Sequence, residues 1–164
     1  MRRFALFVAG LALLAGVAAT VSGGRTQAAT RWVITDLGTG EAVAINDQGQ
    51  VVGYTESEGG HAFLWENGKM RDLGTLGGAE SEAVAINDQG QIIGTADTKA
   101  RDKRGNPMRH AFVWQNGKMI DLGTLPGSTE CDAIAINNGG TIVGTCYLKG
   151  GTRQHAVLWT LKRG

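Results

Sequence analysis

The chain has 164 residues, 42% of them hydrophobic, which allows one domain of ordinary size. Lys and Arg number 16 against 15 Asp and Glu, a formal net charge of +1. Three of those arginines, Arg2, Arg3 and Arg25, precede residue 28 with no acid beside them, so loss of that segment takes +1 to −2; the remainder lacks the basic footprint of a nucleic-acid-binding domain.

The N-terminus begins with Arg2-Arg3, continues as an apolar run over residues 4–19 and ends in small residues near Ala28-Ala29. That order predicts a secretory signal peptide over residues 1–29, with the folded domain over 30–164. Both Thr26-Gln27-Ala28 and Val17-Ala18-Ala19 fit a cleavage site, and the later one is preferred. The competing reading is an uncleaved anchor, although the run is slightly short of the about 20 residues needed to span a bilayer. Arg2-Arg3 alone does not specify the twin-arginine route, and with no Cys near the run a lipoprotein is not expected. The expected location is secreted or periplasmic, with no membrane span after cleavage.

The rest is organised around a repeat. His61-Ala62-Phe63-Leu64-Trp65-Glu66-Asn67-Gly68-Lys69-Met70 returns as His110-Ala111-Phe112-Val113-Trp114-Gln115-Asn116-Gly117-Lys118-Met119, and in shorter form as His155-Ala156-Val157-Leu158-Trp159. Asn-Gly between two extended runs predicts a type I′ hairpin, because both central residues must accept positive φ. In the first strand of that hairpin His61, Phe63 and Trp65 share one face, and Ala62 and Leu64 share the other. Apolar groups on both faces predict a strand covered from both sides.

Three copies align, at about residues 31–65, 66–114 and 115–160. Each has an Asp-Leu-Gly-Thr start (Asp36, Asp72 and Asp121) and an Ala-x-Ala-Ile-Asn run preceded by Glu41, Glu82 or Asp132. A Val-Val-Gly-like run ending at Gly53, Gly94 or Gly144 follows, and then the His-Ala strand. Short apolar runs repeated at such a period signal a repeat architecture. Each copy supplies four strand candidates. The second and third are joined by Asp47-Gln48-Gly49, Asp88-Gln89-Gly90 or Asn138-Gly139-Gly140, loops that suit a type I turn with a glycine bulge. The small residues of these two strands are read as allowing neighbouring sheets to approach closely. No helical periodicity is visible beyond the leader.

Because Asn-Gly ties the fourth strand of one copy to the first strand of the next, the expected sheet is a meander in the order two, three, four, one. The last copy then lacks its final strand, and residues 32–37 form an orphan opening strand that could complete it and close a ring. The expected fold is all-β: three four-stranded antiparallel repeats arranged as propeller-like blades, with a prism-like or trefoil-like three-fold body as the alternative. Three blades are few for a ring, so two chains sharing one ring is a further expectation.

These motifs, taken in order from residue 31 to Trp159, resemble the HAF-family extracellular repeat. The resemblance implies export, variable copy number and a propeller-like stack. It implies no established activity and no catalytic residues. The chain departs from the pattern in the shortened Gly38-Thr39-Gly40 of the first copy and in Val157, which replaces Phe in the third.

Several residues invite a chemical reading. His61, His110 and His155 recur at one position, and three imidazoles meeting on an axis would suit zinc; repetition alone instead predicts one hydrogen bond per sheet. The recurrent carboxylates Asp36, Asp72, Asp121, Glu41, Glu82 and Asp132 could form a glycosidase pair at about 5–10 Å. Turn capping and solvated strand edges account for them as well. Asp47 and Asp88 read as turn residues, and Asn138 in the third copy weakens a calcium reading. No Ser recurs beside a His, and Gly74-Thr75-Leu76-Gly77-Gly78 lacks the Lys-Ser/Thr of a phosphate loop. The expectation is a protein that is not an enzyme, has no cofactor or metal, and uses His61, Trp65, His110, Trp114, His155 and Trp159 for structure.

The connection between the third and fourth strands varies. It is short over residues 56–60 and 148–154. Over residues 97–109 it is long and carries Lys99, Arg101, Lys103, Arg104 and Arg109. Insertions in repeat folds gather on the binding face, so this loop is read either as a basic finger for an anionic surface or as a solvated, partly disordered insertion. Cys131 and Cys146 occur together in the third copy, which suggests a disulfide in an exported chain. A two-residue turn at Asn138-Gly139 would place them opposite each other, whereas a three-residue loop would face Cys146 toward Asp132. The functional expectation is a non-enzymatic binding or scaffold module outside the cell, with a glycan or an envelope protein as partner and self-association as a way to complete a ring. The alternative is a polysaccharide hydrolase or lyase.

Overall fold

The computed structural model describes residues 30–56, 59–148 and 154–162. The leader expected over residues 1–29 lies outside these, as do parts of both short connections. The chain divides into a unit ending at Ile34 and a unit running from Thr35 to Gly164. In the first unit residues 30–34 form no strand, and Trp32, Val33 and Ile34 are exposed. The expected opening strand over residues 32–37 is therefore not formed: a strand needs a partner for its backbone groups, and this one has none among the described residues.

The second unit is all-β, with no helix among the described residues. The first sheet is the meander β1 (Glu41–Ile45), β2 (Val51–Tyr54), β3 (Ala62–Glu66) and β4 (Lys69–Asp72). The second sheet repeats it as β5 (Gly77–Ile86), β6 (Ile92–Arg101), β7 (Pro107–Gln115) and β8 (Lys118–Asp121). The third sheet has three strands, β9 (Ser128–Ile136), β10 (Ile142–Leu148) and β11 (Gln154–Trp159), with β11 at an edge. All pairings between these strands are antiparallel and none of the sheets closes on itself.

The turn chemistry is as the residues dictate. Asn67 and Gly68 have φ of 51° and 75°, and Asn116 and Gly117 have 52° and 78°, the left-handed pair that a type I′ turn requires. The three loops between the second and third strands of the copies each hold three residues. Each is closed by an Asn amide donating to a carbonyl four residues on, with Gly49, Gly90 or Gly140 at positive φ.

One feature of the register recurs in every sheet. Ile45 faces Val51 and Ala44 faces Val52, but Ala42 faces Gly53: one residue, Val43, is bulged out. The same shift occurs between Ala83 and Ala85 and between Ala133 and Ala135. The glycine opposite each bulge faces backbone of its own sheet. A Cβ on Gly53, Gly94 or Gly144 would overlap the carbonyl oxygen of Glu41, Glu82 or Asp132. The expected reason for these glycines, close approach of a neighbouring sheet, is thus corrected to close approach of the paired strand.

Two apolar layers hold the sheets together. Between the first and second sheets lie Val52, Leu64, Ile92, Phe112 and Trp114; between the second and third lie Ile93, Val113, Ala133, Ile142 and the two cysteines. The second sheet is covered on both faces, so β7 buries four consecutive residues from Ala111 to Trp114. The two-sided cover expected of the His61–Trp65 strand holds in β3, where Ala62, Phe63 and Leu64 are all buried, whereas Leu158 of the matching strand β11 is 61% exposed, with no further sheet against that face among the described residues. Full burial of a side chain such as Ile93 contributes about 2 kcal/mol.

Candidate functional site

The recurrent histidines and aspartates are placed by the hairpin register. Phe63 lies opposite Asp72 and Phe112 opposite Asp121, which brings each aspartate beside the histidine that opens the partner strand. His61 Nδ1 lies 2.8 Å from Asp72 Oδ2, and His110 Nδ1 lies 2.8 Å from Asp121 Oδ2. Asp72 Oδ1 also accepts the Gly74 amide at 2.7 Å, and Asp121 Oδ1 accepts that of Gly123 at 2.7 Å. Partial burial alone would raise the Asp72 pKa, but the His61 hydrogen bond and the Gly74 amide outweigh it and hold the carboxyl below its usual value. Asp36 makes the same turn contact, to the Gly38 amide at 2.9 Å. His61 and His110 therefore bind carboxylates within their own sheets, while His155 makes no such contact among the described residues; among those residues no three His, Cys, Asp or Glu groups gather as a metal site would require. A cavity of about 450 Å³ beside the His61–Asp72 pair is lined by Phe63 and Met70.

The second set of carboxylates is also engaged. Glu41 accepts the Tyr54 hydroxyl at 2.5 Å, Glu82 faces Arg109 at 3.5 Å, and Asp132 accepts the Thr95 hydroxyl at 3.2 Å. The Tyr54 hydroxyl is held above its ordinary pKa because it donates to Glu41. Tyr147 is raised by the nearby Asp132 charge.

A ladder of side chains that the sequence did not single out crosses from sheet to sheet. Asn46 Oδ1 accepts the amides of Gln48 and Gln50, while its Nδ2 donates to Gln50 Oε1 at 2.7 Å and to the Asn87 carbonyl at 3.1 Å. Asn87 repeats every contact one copy on: Gln89 and Gln91 amides, Gln91 Oε1 at 2.7 Å, and the Asn137 carbonyl at 3.1 Å. Both asparagines use the full capacity of the amide, two donors and two acceptor positions. Beside them the Asp47 amide donates to Asp88 Oδ1, and the Asp88 amide donates to Asn138 Oδ1, each at 3.0 Å. The Asp47 amide and the Asn138 side chain hold the Asp88 carboxyl below its usual pKa. The recurrence of Asn at the end of the Ala-Ile run was the available signal; its inter-sheet reach needed the stacking to be known.

The tryptophans divide by position. Trp114 is 8% exposed with the Arg71 guanidinium 5.2 Å from its ring centroid, Trp159 Nε1 donates to the Leu122 carbonyl at 3.0 Å, and Trp65 is half-buried. Residues 97–109 correct the reading of a partly disordered insertion: β6 and β7 extend into them as a paired hairpin, with Arg101 opposite Pro107. Asp102 closes its turn by accepting the Arg104 amide at 2.8 Å and the Asn106 amide at 2.9 Å, and the Asn106 amide leads in lowering its pKa. Lys99, Arg101, Lys103 and Arg104 stand exposed around this turn. Arg109 does not belong with them. It turns into the sheet, 3.6 Å from Asp97 and 3.5 Å from Glu82, charge contacts that offset the burial of Asp97, which is 3% exposed.

Cys131 and Cys146 form a disulfide, and both are buried. Their register resolves the two alternatives in an unforeseen way. The loop is the three-residue one, with Ile136 opposite Ile142, and the bulge between Ala133 and Ala135 then moves the register by one and sets Cys146 opposite Cys131. In the second sheet the same pair of positions holds Ser81 and Ala96. Comparison with protein-family models, with curated proteins and with solved structures finds no match to this chain.

Proposed function

We propose that this protein is an exported, non-enzymatic binding or scaffold module of the HAF-repeat kind, its sheets acting as consecutive propeller-like blades. One observation carries the reading. The reactive side chains common to the copies are used in structural contacts, such as His61 with Asp72 and His110 with Asp121, while the copies differ most at the β6–β7 hairpin. That hairpin is ordered, and its backbone satisfies the one acid at its tip, Asp102. Lys99, Arg101, Lys103 and Arg104 are left with no acid neighbour in an ion pair among the described residues. Such a tip suits an anionic polysaccharide of the cell envelope, whose carboxylates or sulfates guanidinium groups can grip in pairs. The buried disulfide is compatible with the oxidising compartment that export implies.

The test is titration of the chain with an acidic polysaccharide at low and moderate salt. Binding that weakens with salt, and falls at least tenfold in the Arg101→Glu, Lys103→Glu, Arg104→Glu triple variant, supports the reading. Equal binding by that variant, or release of reducing ends from the polysaccharide, contradicts it.

A further inference from the structure

We propose that two copies of this chain close one six-bladed ring, each lending residues 33–36 as the missing fourth strand of the other's third sheet. The inference is independent of what the basic hairpin binds. It stands on a pattern that runs through the molecule twice and stops short of a third occurrence.

The strand pattern comes first. In the first sheet β4 pairs along β3, and in the second β8 pairs along β7. In the third sheet the matching edge of β11 has no partner strand among the described residues. The residues aligned with Lys69–Asp72 and Lys118–Asp121 are Val33, Ile34, Thr35 and Asp36, and they form no strand. Val33 is 71% and Ile34 97% exposed. Beside the β11 edge is a cavity of about 480 Å³, lined by Val113, Ile120, Leu158, Trp159 and Leu161. An extended segment with apolar residues fits such an edge and groove, since strand addition satisfies backbone groups that otherwise face solvent.

The polar contacts stop at the same place. His61 has Asp72 and His110 has Asp121, whereas His155 has no carboxylate partner among the described residues. Asp36 already holds the Gly38 amide, as Asp72 holds Gly74, and lacks only the histidine. By the register of the other two hairpins, Asp36 of a second copy would lie opposite Val157, which brings its carboxylate to His155. The asparagine ladder likewise runs Asn46 to Asn87 to Asn137 and ends. Asn137 is exposed, and its Nδ2 is unused among the described residues. The second copy's Asn46 carbonyl and Asp47 carboxylate are the acceptors that the next round would call on, from Asn137 Nδ2 and the Asn138 amide.

The apolar faces match as well. The first sheet turns Val52 and Leu64 to the second, which turns Ile93 and Val113 to the third, and all four are buried. The third sheet turns Val143 and Leu158 to solvent among the described residues, at 43% and 61% exposure. The opposite end of the stack offers the face with Ile45, 66% exposed, and the Phe63–Met70 cavity, the positions that Ile86 and Phe112 fill in the buried interface. One end of the stack therefore complements the other. The three sheets among the described residues fall short of the about 4–8 blades usual in a ring, and two such sets related by a two-fold axis give six.

Sedimentation of the purified chain, with Thr35→Cys/Leu158→Cys cross-linking beside it, tests this. Those two positions face each other in the proposed pairing. The expected result is a two-copy particle, an interchain disulfide between the new cysteines, and at least tenfold weaker association in Leu158→Asp with an unchanged strand spectrum. Leu158 is exposed in the single copy, so that variant still folds. A one-copy particle at high concentration, a cross-link within one chain, or a two-copy particle indifferent to Leu158→Asp would each overturn the proposal.

Discussion

Replacing Cys131 and Cys146 by alanine should destabilise the protein by about 3 kcal/mol, and the reasoning behind that number is open to direct test. The bridge spans a sequence separation of 15, and loop closure of that length constrains the unfolded chain by about 3 kcal/mol. For a domain of this size roughly 3–5 °C accompanies each kcal/mol, so the melting temperature should fall by roughly 10–15 °C. A second variant refines the test. Cys131→Ser with Cys146→Ala reproduces the Ser81–Ala96 pair of the second sheet. There Ser81 Oγ accepts the Ala62 amide at 2.9 Å and donates to the Gly74 carbonyl at 2.6 Å, tying one sheet to the next. If the third sheet is the same unit, a serine at 131 reaches the Ala111 amide and regains about 1 kcal/mol over the double alanine. Urea unfolding of the oxidised chain and both variants reads these differences. Equal midpoints for the oxidised chain and the double alanine would refute the loop-closure argument, and equal midpoints for the two variants would refute the equivalence of the sheets.

Other substitutions probe the remaining contacts. Gly94→Ala should cost about 3 kcal/mol or more in urea unfolding, because its Cβ meets the Glu82 carbonyl at a bulge; Gly90→Asn, at φ 73° with only Gln50 Oε1 near its Cβ at 3.7 Å, should cost about 1 kcal/mol, the strain of a side-chain residue in the left-handed region. Arg109→Ala leaves Asp97 buried without its countercharge and should cost about 3 kcal/mol, while Arg104→Ala at the tip should cost under about 0.5 kcal/mol in the same assay. Asn87→Ala removes four hydrogen bonds at a buried position and should cost about 2–4 kcal/mol by the same measurement. Acid titration should expose Asp72: its folded pKa lies below 3.8, so its contribution is complete above the unfolded value and is lost as pH falls through the folded one. Thermal melts below about pH 4 should accordingly drop less in Asp72→Asn than in the unmodified chain.

The fold was legible in the sequence where turn chemistry and repetition agreed. Asn67-Gly68 and Asn116-Gly117 could only be two-residue hairpins, and they fix the meander order two, three, four, one. What was not legible depends on partners distant in sequence. Residues 32–37 carry a strand pattern and form no strand, because pattern does not supply a neighbour to bond with. The glycine at 94 looked like a space-saver between sheets; only the bulge shows that it faces Glu82. The same bulge brought Cys131 to Cys146 when loop length alone left the register open. Among the candidate site residues, Lys99 to Arg109 read as one basic run, yet Arg109 turns to Asp97 while the others stay in solvent. A strand alternates its faces, and the hairpin extends farther than the run of charge suggested. The Asn46–Asn87–Asn137 ladder was hidden because its contacts join residues 41 and 50 apart.

The central claim is that one β unit is repeated three times and joined sheet to sheet by its shared polar residues. Amide hydrogen exchange at the loop-closing amides of Asn46, Asn87 and Asn137 tests it most directly. Each donates within its loop, to the Gln50, Gln91 and Thr141 carbonyls at 3.1, 3.0 and 3.1 Å. The account predicts protection at all three positions and, in Asn87→Ala, faster exchange at Asn46 and Asn137 as well as at position 87. An unprotected amide at any of the three positions in the unmodified chain, or a change confined to the second sheet in Asn87→Ala, would contradict it.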